Sequence, residues 1–201
     1  MTDHYFSADP SVADQPREVW FTAYGRRYDL TSSTGVFSGD RLDLGTSVLL
    51  REAPLPTKPG TFLDLGCGYG PIASVLATQV PDADVWAVDV NTRALELTRA
   101  NAQRLGVTVH AVGPDDVPDE LRFDQLWSNP PIRIGKAALH ELLLRWLPRL
   151  KPDGAAWLVV ARNLGADSLQ KWLIEQGHQT TREGSAKGFR VLRVSGSPTS
   201  P

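Results

Sequence analysis

Residues 61–71 read Thr-Phe-Leu-Asp-Leu-Gly-Cys-Gly-Tyr-Gly-Pro, and residues 123–131 read Phe-Asp-Gln-Leu-Trp-Ser-Asn-Pro-Pro. Each stretch opens with a short apolar run, which predicts a strand buried in a parallel sheet. Open α/β folds bind their ligands at the carboxyl edge of the sheet, where such strands end. The segments that follow the two strands, residues 64–70 and 128–131, are therefore expected to emerge at the same edge.

Strand-like and helix-like patterns alternate along the chain. Strand patterns occur at 61–63, 85–90, 107–112, 123–127 and 155–160, and helical patterns at 71–80, 91–105, 139–150 and 167–175. This alternation predicts an α/β fold of the Rossmann-like kind, with a mostly parallel seven-stranded sheet and helices on both faces. An antiparallel pair at 178–181 and 189–194 closes the predicted sheet. A small N-terminal β-hairpin at 19–24 and 27–31, turning at Gly25-Arg26, precedes it.

The length of 201 residues suits one full-sized domain and is too short for two. Residues 1–16 are polar, and residues 195–201 are rich in Ser, Gly and Pro, so both are expected to be flexible tails. Residues 17–194 are expected to form a single domain. Within it, 17–59 would be the hairpin and leader, and 60–194 the Rossmann-like core.

The composition limits the classes of function. A net charge of -2 and a pI near 6.1 give no global basic field, which counts against a nucleic-acid partner but leaves room for a local basic patch. One cysteine and four scattered histidines lack the spacing of a metal site, so no metal is expected. The chain shows neither a signal-peptide pattern nor a stretch that could span a bilayer. We therefore expect a cytoplasmic protein with no membrane partner.

The first motif places Gly66, Gly68 and Gly70 at alternate positions after a strand. Glycines let the backbone turn sharply and approach a ligand closely, and the helix that starts near Pro71 directs free N–H groups at the same place. A dinucleotide-binding loop would have its third glycine where Pro71 stands. The methionine end of S-adenosyl-L-methionine therefore fits better, with Asp64 placed to accept from its ammonium. The alternative is a purely structural tight turn.

Asp89 ends the next predicted strand, about twenty residues beyond the glycines. A carboxylate at this position can bind both hydroxyls of a ribose, which extends the predicted cofactor site. The alternative is that Asp89 only supports the start of the helix that follows. Cys67 lies between turn glycines without a nearby histidine, so it is expected to fill space rather than to act as a nucleophile.

The second motif, Asn129-Pro130-Pro131, predicts a rigid extended turn with carbonyl groups free to bind a ligand. An exocyclic amine on a base, or a side-chain amide, is a poor nucleophile because its lone pair is delocalised. The Asn129 side-chain oxygen and the Pro130 carbonyl could accept from both N–H groups of such a nitrogen and direct its lone pair at a methyl group. The alternative is a structural turn after a core strand.

At these residues the chain resembles the class I methyltransferases of the "methyltransferase small" type, and among them the enzymes that methylate guanine N2 in 16S ribosomal RNA. Gly-Val-Phe-Ser at 35–38 and Leu-Asp-Leu-Gly-Thr at 42–46 look like the segment that precedes the catalytic core in that family. The resemblance implies S-adenosyl-L-methionine as the cofactor, with Phe37 and Ser38 beside its methionine end. It also implies an RNA partner, either small-subunit ribosomal RNA or the 30S particle.

Two departures from the family pattern matter. The bacterial enzymes carry a second, degenerate copy of the domain that this sequence lacks, and they have an aromatic residue where this chain has Ile132. Stacking on a base is typically worth about 1 to 3 kcal/mol, so either another ring, Phe37 or Trp127, replaces it or the contact with the base is weaker.

The residues after Asn129 and Pro130 are the candidates for contact with the substrate. They are Pro131, Ile132, Arg133 and Lys136. Arg133 and Lys136 could hold a phosphate or stack on the base, or could simply be solvated charges at the start of a helix. A more distant basic group would join an RNA-facing patch only if it shares the acceptor side of the fold. Its members are Arg26, Arg27, Lys187, Arg190 and Arg193.

Together these observations predict an S-adenosylmethionine-dependent N-methyltransferase that acts on the N2 amine of a guanine in 16S ribosomal RNA. Two alternatives stay open. A protein glutamine-amide N-methyltransferase would use the same acceptor geometry, although such enzymes usually have a tyrosine where this chain has Ile132. A non-catalytic S-adenosylmethionine-binding protein would keep the fold, although intact Asp64 and Asn129 speak against it.

Overall fold

The computed structural model describes residues 13–36, 41–131 and 135–195. The described strands are β1 (Pro16–Ala23), β2 (Arg26–Ser33), β3 (Thr61–Leu65), β4 (Asp84–Val88), β5 (His110–Val112), β6 (Phe123–Ser128), β7 (Leu150–Ala161), β8 (Thr180–Ala186) and β9 (Phe189–Ser195). The described helices are α1 (Leu44–Glu52), α2 (Pro71–Gln79), α3 (Thr92–Leu105), α4 (Lys136–Trp146) and α5 (Ala166–Glu175).

The order of the strands in the larger sheet decides where a ligand can bind. Seven strands pair in the order β5-β4-β3-β6-β7-β9-β8, with β3 to β7 parallel and β9 antiparallel to both of its neighbours. From β3 the chain adds strands in one direction, and from β6 it adds them in the other. The sheet therefore has its topological switch point between β3 and β6, where open α/β sheets bind ligands. The predicted fold class is confirmed, including the separate hairpin of β1 and β2.

Both faces of this sheet are covered, which explains why its central strands are almost uniformly apolar. Phe62 of β3 packs into a layer with α1, α2, α3 and the hairpin, whereas Leu63 and Leu65 pack into a layer with α4 and α5. In β6, Leu126 belongs to the second layer and Trp127 to the first. The alternation of side chains along each strand thus builds two cores, one on each face.

The hairpin turns one residue earlier than the predicted Gly25-Arg26. Tyr24 and Gly25 are its two central residues, with φ of 46° and 77°, and Arg26 already pairs with Ala23. Positive φ at both central positions is what a type I′ turn requires, because its twist matches that of the flanking strands. The Tyr24 hydroxyl donates to the Ala53 carbonyl at 2.6 Å, which anchors the tip of the hairpin to the end of α1.

The predicted boundaries were wrong around residue 150. The helical pattern at 139–150 corresponds to α4, which ends at Trp146 and continues as a 3-10 turn over Leu147–Arg149. Pro148 has no N–H to continue the helical hydrogen bonds, so the chain leaves the helix there. Strand β7 then starts at Leu150 rather than at the predicted residue 155. The third predicted strand, at 107–112, is formed only over His110–Val112.

Candidate active site

The structure brings the two motifs side by side. Strands β3 and β6 are neighbours with Asp64 opposite Trp127, and the Ser128 hydroxyl donates to the Leu65 carbonyl at 2.7 Å. A cleft opens at this edge. Its lining is Asp43, Thr46, Gly66, Cys67, Gly68, Tyr69, Pro71, Ile72 and Asn129. The glycine loop and the Asn-Pro-Pro turn therefore form walls of one cleft, together with the start of α1.

The glycine loop needs glycine for two separate reasons. Gly66, Gly68 and Gly70 have φ of 75°, 55° and 83°, in the left-handed region that side chains rarely adopt. In addition, a Cβ on Gly70 would lie 2.8 Å from the side chain of Thr98. The loop is tied to the end of β4, because the Gly66 and Cys67 N–H groups both donate to the Val88 carbonyl, at 2.8 and 3.0 Å. Helix α2 starts directly after this fixed turn.

Asp64 lies beneath the glycine loop, completely buried, and is not part of the cleft lining. Its Oδ2 accepts from the Ala73 N–H at 2.9 Å, which joins the end of β3 to the first turn of α2. Its Oδ1 has no hydrogen-bond partner within the described residues. Burial raises the pKa of Asp64 to about 7, helped by the charge of Asp89 and opposed by the Ala73 N–H. A cationic ligand near this carboxyl group would strongly stabilise its ionised form, because the unpartnered buried oxygen has no other group to compensate its charge.

Asp89 stands at the opposite side of the glycine loop, at the end of β4. Its Oδ2 accepts from the Gly68 N–H at 2.9 Å and its Oδ1 from the Asn91 N–H at 3.0 Å. Burial raises the pKa of Asp89, and the backbone N–H groups counteract this rise. The side chain is only partly buried, and each carboxylate oxygen can accept a further hydrogen bond. Asp89 can thus hold the loop and still bind the hydroxyls of a ligand.

Asn129 is held by the start of α1. Its Nδ2 donates to Asp43 Oδ1 at 2.6 Å and to Thr46 Oγ1 at 3.1 Å. A carboxylate can only accept, so the NH2 side of the amide must face Asp43, and this determines the orientation of the side chain. Among the described residues, Asn129 Oδ1 accepts no hydrogen bond. It remains available to a donor in the cleft.

The other residues predicted to contact the methyl acceptor differ in how deeply they are buried. Pro130 is buried, and Pro131 is half-buried with its Cδ 3.9 Å from where a Cβ on Gly66 would lie. Lys136 is exposed as the first residue of α4. Four of the predicted site residues lie outside the described residues. They are Phe37, Ser38, Ile132 and Arg133.

The structure rejects Trp127 as a ring that could stack on a base. Its side chain is fully buried in the core, 6.2 Å from the ring of Trp157, and its Nε1 donates to Gln125 Oε1 at 2.9 Å. Because Trp127 points into one core layer from a central strand, no ligand at the sheet edge can reach its face.

Cys67 is buried at the floor of the loop, and burial, with the charges of Asp89 and Asp64, raises the pKa of its thiol well above the usual range. A neutral, buried thiol is a poor nucleophile, which agrees with the expectation that Cys67 fills space. Within the described part of the chain there is no group of three or more His, Cys, Asp or Glu side chains arranged to hold a metal ion. None of the described helices is long and apolar enough to cross a bilayer.

Sequence reasoning missed two groups that build the site. Asp43 and Thr46 orient Asn129 from α1, as described above. Helix α3 supports the glycine loop, because Thr98 Oγ1 donates to the Gly68 carbonyl at 3.0 Å and Asn101 Nδ2 donates to the Tyr69 carbonyl at 2.8 Å. The signal for the second group was present in the sequence, since both are polar residues on the inner face of an amphipathic helix.

The fold and the cleft define the class of protein. A doubly wound sheet in this order, a glycine loop after the first core strand and an acidic residue after the second are the framework of the class I S-adenosylmethionine-dependent methyltransferases. The chain belongs to the methyltransferase small domain family, whose pattern matches residues 27–193.

Similar proteins include one of nearly the same length and others that are longer. The uncharacterized protein YbxB of Bacillus subtilis is 33% identical over 198 residues, which cover 96% of this chain and 98% of that protein. The ribosomal RNA small subunit methyltransferase C of Aeromonas hydrophila is 36% identical over 152 residues, 71% of this chain and 44% of that enzyme.

A solved structure of a longer ribosomal RNA methyltransferase is also similar to this chain. The T. thermophilus 16S rRNA N2 G1207 methyltransferase RsmC, in complex with AdoMet and guanosine, superimposes with a TM-score of 0.79 at 25% identity. The match covers 92% of this chain and 52% of that one. This chain therefore spans about half the length of the ribosomal RNA methyltransferases that it matches here.

Proposed function

We propose that this protein transfers a methyl group from S-adenosyl-L-methionine to the exocyclic N2 amine of a guanine in RNA, and that the RNA is small-subunit ribosomal RNA. The observation that carries the proposal is the orientation of Asn129. Its side-chain oxygen accepts no hydrogen bond from the part of the chain that the structure describes, while its NH2 group is held by Asp43 and Thr46, in a cleft shared with the glycine loop. An oriented acceptor beside a cofactor loop is what transfer to a planar amine requires.

The residues of the glycine loop suit S-adenosyl-L-methionine. The left-handed turn at Gly66 and Gly68 would let the backbone approach the ligand, and Asp89 would accept from the ribose hydroxyls. Asp64 lies beneath the loop with Oδ1 unpartnered among the described residues, and its negative charge would attract the ammonium. The family resemblance implies that Phe37 and Ser38 would border the methionine end. When bound, this cofactor supplies an electrophilic methyl group on a sulfonium sulfur.

On the acceptor side, Asn129 Oδ1 and the Pro130 carbonyl accept from the two N–H groups of the guanine amine. The amine is then fixed with its lone pair directed at the methyl group, and its proton leaves to water after transfer. Positioning of this kind can supply roughly 7 to 11 kcal/mol of the barrier reduction, and oriented carbonyl dipoles add to it. Burial and a raised pKa keep Cys67 out of the chemistry.

RNA as the substrate is supported by the relatives that share this fold and family. Both the A. hydrophila relative and the T. thermophilus structure are named as methyltransferases of small-subunit ribosomal RNA. Pro131, Ile132, Arg133 and Lys136 border the acceptor amine in this proposal. The two basic side chains among them would contact phosphates of the RNA backbone.

The proposal is tested by transfer of labelled methyl groups to material from cells that lack the protein. The acceptors are naked 16S RNA, 30S particles, large-subunit RNA and total protein, followed by digestion and mass spectrometry of the nucleosides. The expected product is N2-methylguanosine in small-subunit RNA. Label in a protein glutamine would contradict the proposal in favour of an amide methyltransferase, and cofactor binding without any transfer would indicate a binding protein.

A further inference from the structure

Beyond the Asn-Pro-Pro turn, strands β7 and β9 form a wall that continues past the end of β6, next to the residues that line the cleft. Ser128, the last residue of β6, lies opposite Leu158, but β7 continues for three more residues to Ala161. At roughly 3.3 Å per residue, this wall rises about 10 Å above the end of β6. Strand β9 begins at Phe189, opposite Ala161, and the Arg162 N–H donates to the Gly188 carbonyl at 2.8 Å. The β8–β9 turn and the end of β7 are thus joined at the acceptor edge.

The ring of Phe189 and the acceptor oxygen of Asn129 both lie close to Gly45 of α1. A Cβ on Gly45 would lie 3.0 Å from Phe189 Cε1 and 3.2 Å from Asn129 Oδ1. Both distances are measured from the same position, so the separation of Phe189 Cε1 and Asn129 Oδ1 cannot exceed their sum. The ring is only partly buried. A partly exposed aromatic ring therefore lies close to the oxygen proposed to hold the amine.

The charges on this wall are positive and unpaired. Lys187 in the β8–β9 turn and Arg162 after β7 are both exposed, and neither forms an ion pair with any described residue. The other basic residues of this region differ. Arg190 pairs with Asp167, and Arg193 lies towards the opposite edge of the sheet, because β9 runs antiparallel to β7.

We propose that Phe189 is the ring on which the acceptor base stacks, and that Lys187 and Arg162 bind phosphates of the RNA next to it. The inference rests on the proposed RNA substrate and names the surface that receives it. Aromatic rings hold splayed-out bases by stacking, and the planar amine of a stacked guanine then points along the ring plane towards Asn129. The positive wall holds the phosphates on the same side.

The ring is tested by Phe189→Leu and Phe189→Tyr with 30S particles or 16S RNA from cells lacking the protein. Phe189→Leu keeps an apolar side chain without the ring, so kcat/KM for RNA should fall roughly 5- to 100-fold. The dissociation constant for S-adenosylmethionine and the melting temperature should stay close to wild type, and Phe189→Tyr should restore most of the activity. Wild-type activity in Phe189→Leu, or an equal defect in Phe189→Tyr, would overturn the role of the ring.

The charges are tested by Lys187→Gln and Arg162→Gln, with Lys58→Gln as the control. Lys58 is exposed before β3, at the opposite edge of the sheet. Lys187→Gln and Arg162→Gln should each raise KM for RNA several-fold. Each should also reduce the slope of log RNA affinity against log salt concentration by about 1. Lys58→Gln should change neither. Variants indistinguishable from this control would overturn the phosphate role.

These outcomes are separate from failure of the proposed function itself. If the wild-type protein methylates no RNA, the RNA substrate is wrong before any variant is compared. If the wild type methylates RNA and the variants at 162, 187 and 189 do so equally well, only the proposed surface is wrong.

Discussion

Asp43 Oδ1 accepts both the side-chain amide of Asn129, at 2.6 Å, and the backbone N–H of Thr46, at 3.1 Å. One carboxylate oxygen therefore caps α1 and orients the proposed acceptor residue. The leader that precedes the Rossmann-like core is part of the candidate site, because its first helix starts against the Asn-Pro-Pro turn.

This relationship predicts that Asp43→Ser separates the two roles of Asp43. Serine is a good N-cap, so the melting temperature should change little, but its short side chain cannot reach Asn129. Methyl transfer should fall at least tenfold at saturating cofactor, while the dissociation constant for S-adenosylmethionine stays within about twofold. Steady-state kinetics with calorimetry checks this. A fully active Asp43→Ser would show that Asn129 needs no partner on α1.

Gly45→Ala is expected to lower methyl-transfer activity, although Gly45 lies in helix α1, where alanine is normally the better residue. Alanine usually stabilises a helix relative to glycine by about 1 kcal/mol. Here its Cβ would lie 3.0 Å from Asp43 Oδ1 and 3.2 Å from Asn129 Oδ1, so these groups must shift.

We therefore expect Gly45→Ala to lower kcat without a matching loss of cofactor affinity. Leu44→Ala, at the exposed neighbouring position, is the control and should remain active. Equal activity of both variants in the methyl-transfer assay would mean that the acceptor turn tolerates displacement.

Asp64 is expected to couple cofactor binding to pH. Its raised pKa, about 7, means that the free protein holds a proton there at pH 6. A bound ammonium favours the carboxylate, so binding should release a proton, and affinity should rise between about pH 5.5 and 7. Calorimetry in buffers of different ionisation enthalpy measures the release. Asp64→Asn keeps an acceptor for Ala73 but should abolish the pH dependence; a dependence that persists would have another source.

The same group predicts how stability depends on pH without ligand. The folded protein binds the Asp64 proton more tightly than the unfolded chain, whose carboxyl has its ordinary pKa near 4. Asp64 therefore contributes a loss of stability as pH rises from about 4 to 7. In Asp64→Asn this contribution should be absent, which denaturant titrations at several pH values can measure.

Asp89→Asn should act mainly on cofactor affinity. The amide retains one acceptor oxygen but loses the charge, and a charge-assisted hydrogen bond is worth roughly 1.5 to 3 kcal/mol. The dissociation constant for S-adenosylmethionine should therefore rise about 10- to 100-fold, as measured by calorimetry. Asp84→Asn, at the start of the same strand and paired with His110, is the matched control. An unchanged constant in Asp89→Asn would remove Asp89 from the ribose site.

The sequence predicted well what depends on local pattern. The apolar runs of β3 and β6 and the helices between them specify the sheet, and therefore the edge where Asp64 and Asn129 emerge. The predicted end of one helix was wrong. The leucine spacing predicted that this helix extends to residue 150, but Pro148 ends its hydrogen bonding earlier. The hairpin turn was misplaced by one residue because Tyr24 adopts a positive φ that is unusual for its type.

Contacts between distant segments could not be predicted in this way. Asp43 and Asn129 are 86 residues apart, and Phe189 meets Gly45 only because β9 returns beside β7. Trp127 was a candidate for stacking, but its position in a central strand buries it. Asp64 was expected to accept from the ammonium of the cofactor, but its hydrogen bond from the Ala73 N–H, which joins it to the first turn of α2, could not be predicted from the sequence.

The central claim is that Asn129 Oδ1 holds the amine that receives the methyl group. The most direct test is the single-turnover rate of methyl transfer to small-subunit ribosomal RNA by Asn129→Ala with saturating S-adenosylmethionine. The rate should fall at least a hundredfold, as when an oriented hydrogen-bonding group is removed from an active site, while cofactor affinity stays within about twofold. A single-turnover rate close to wild type would contradict the claim.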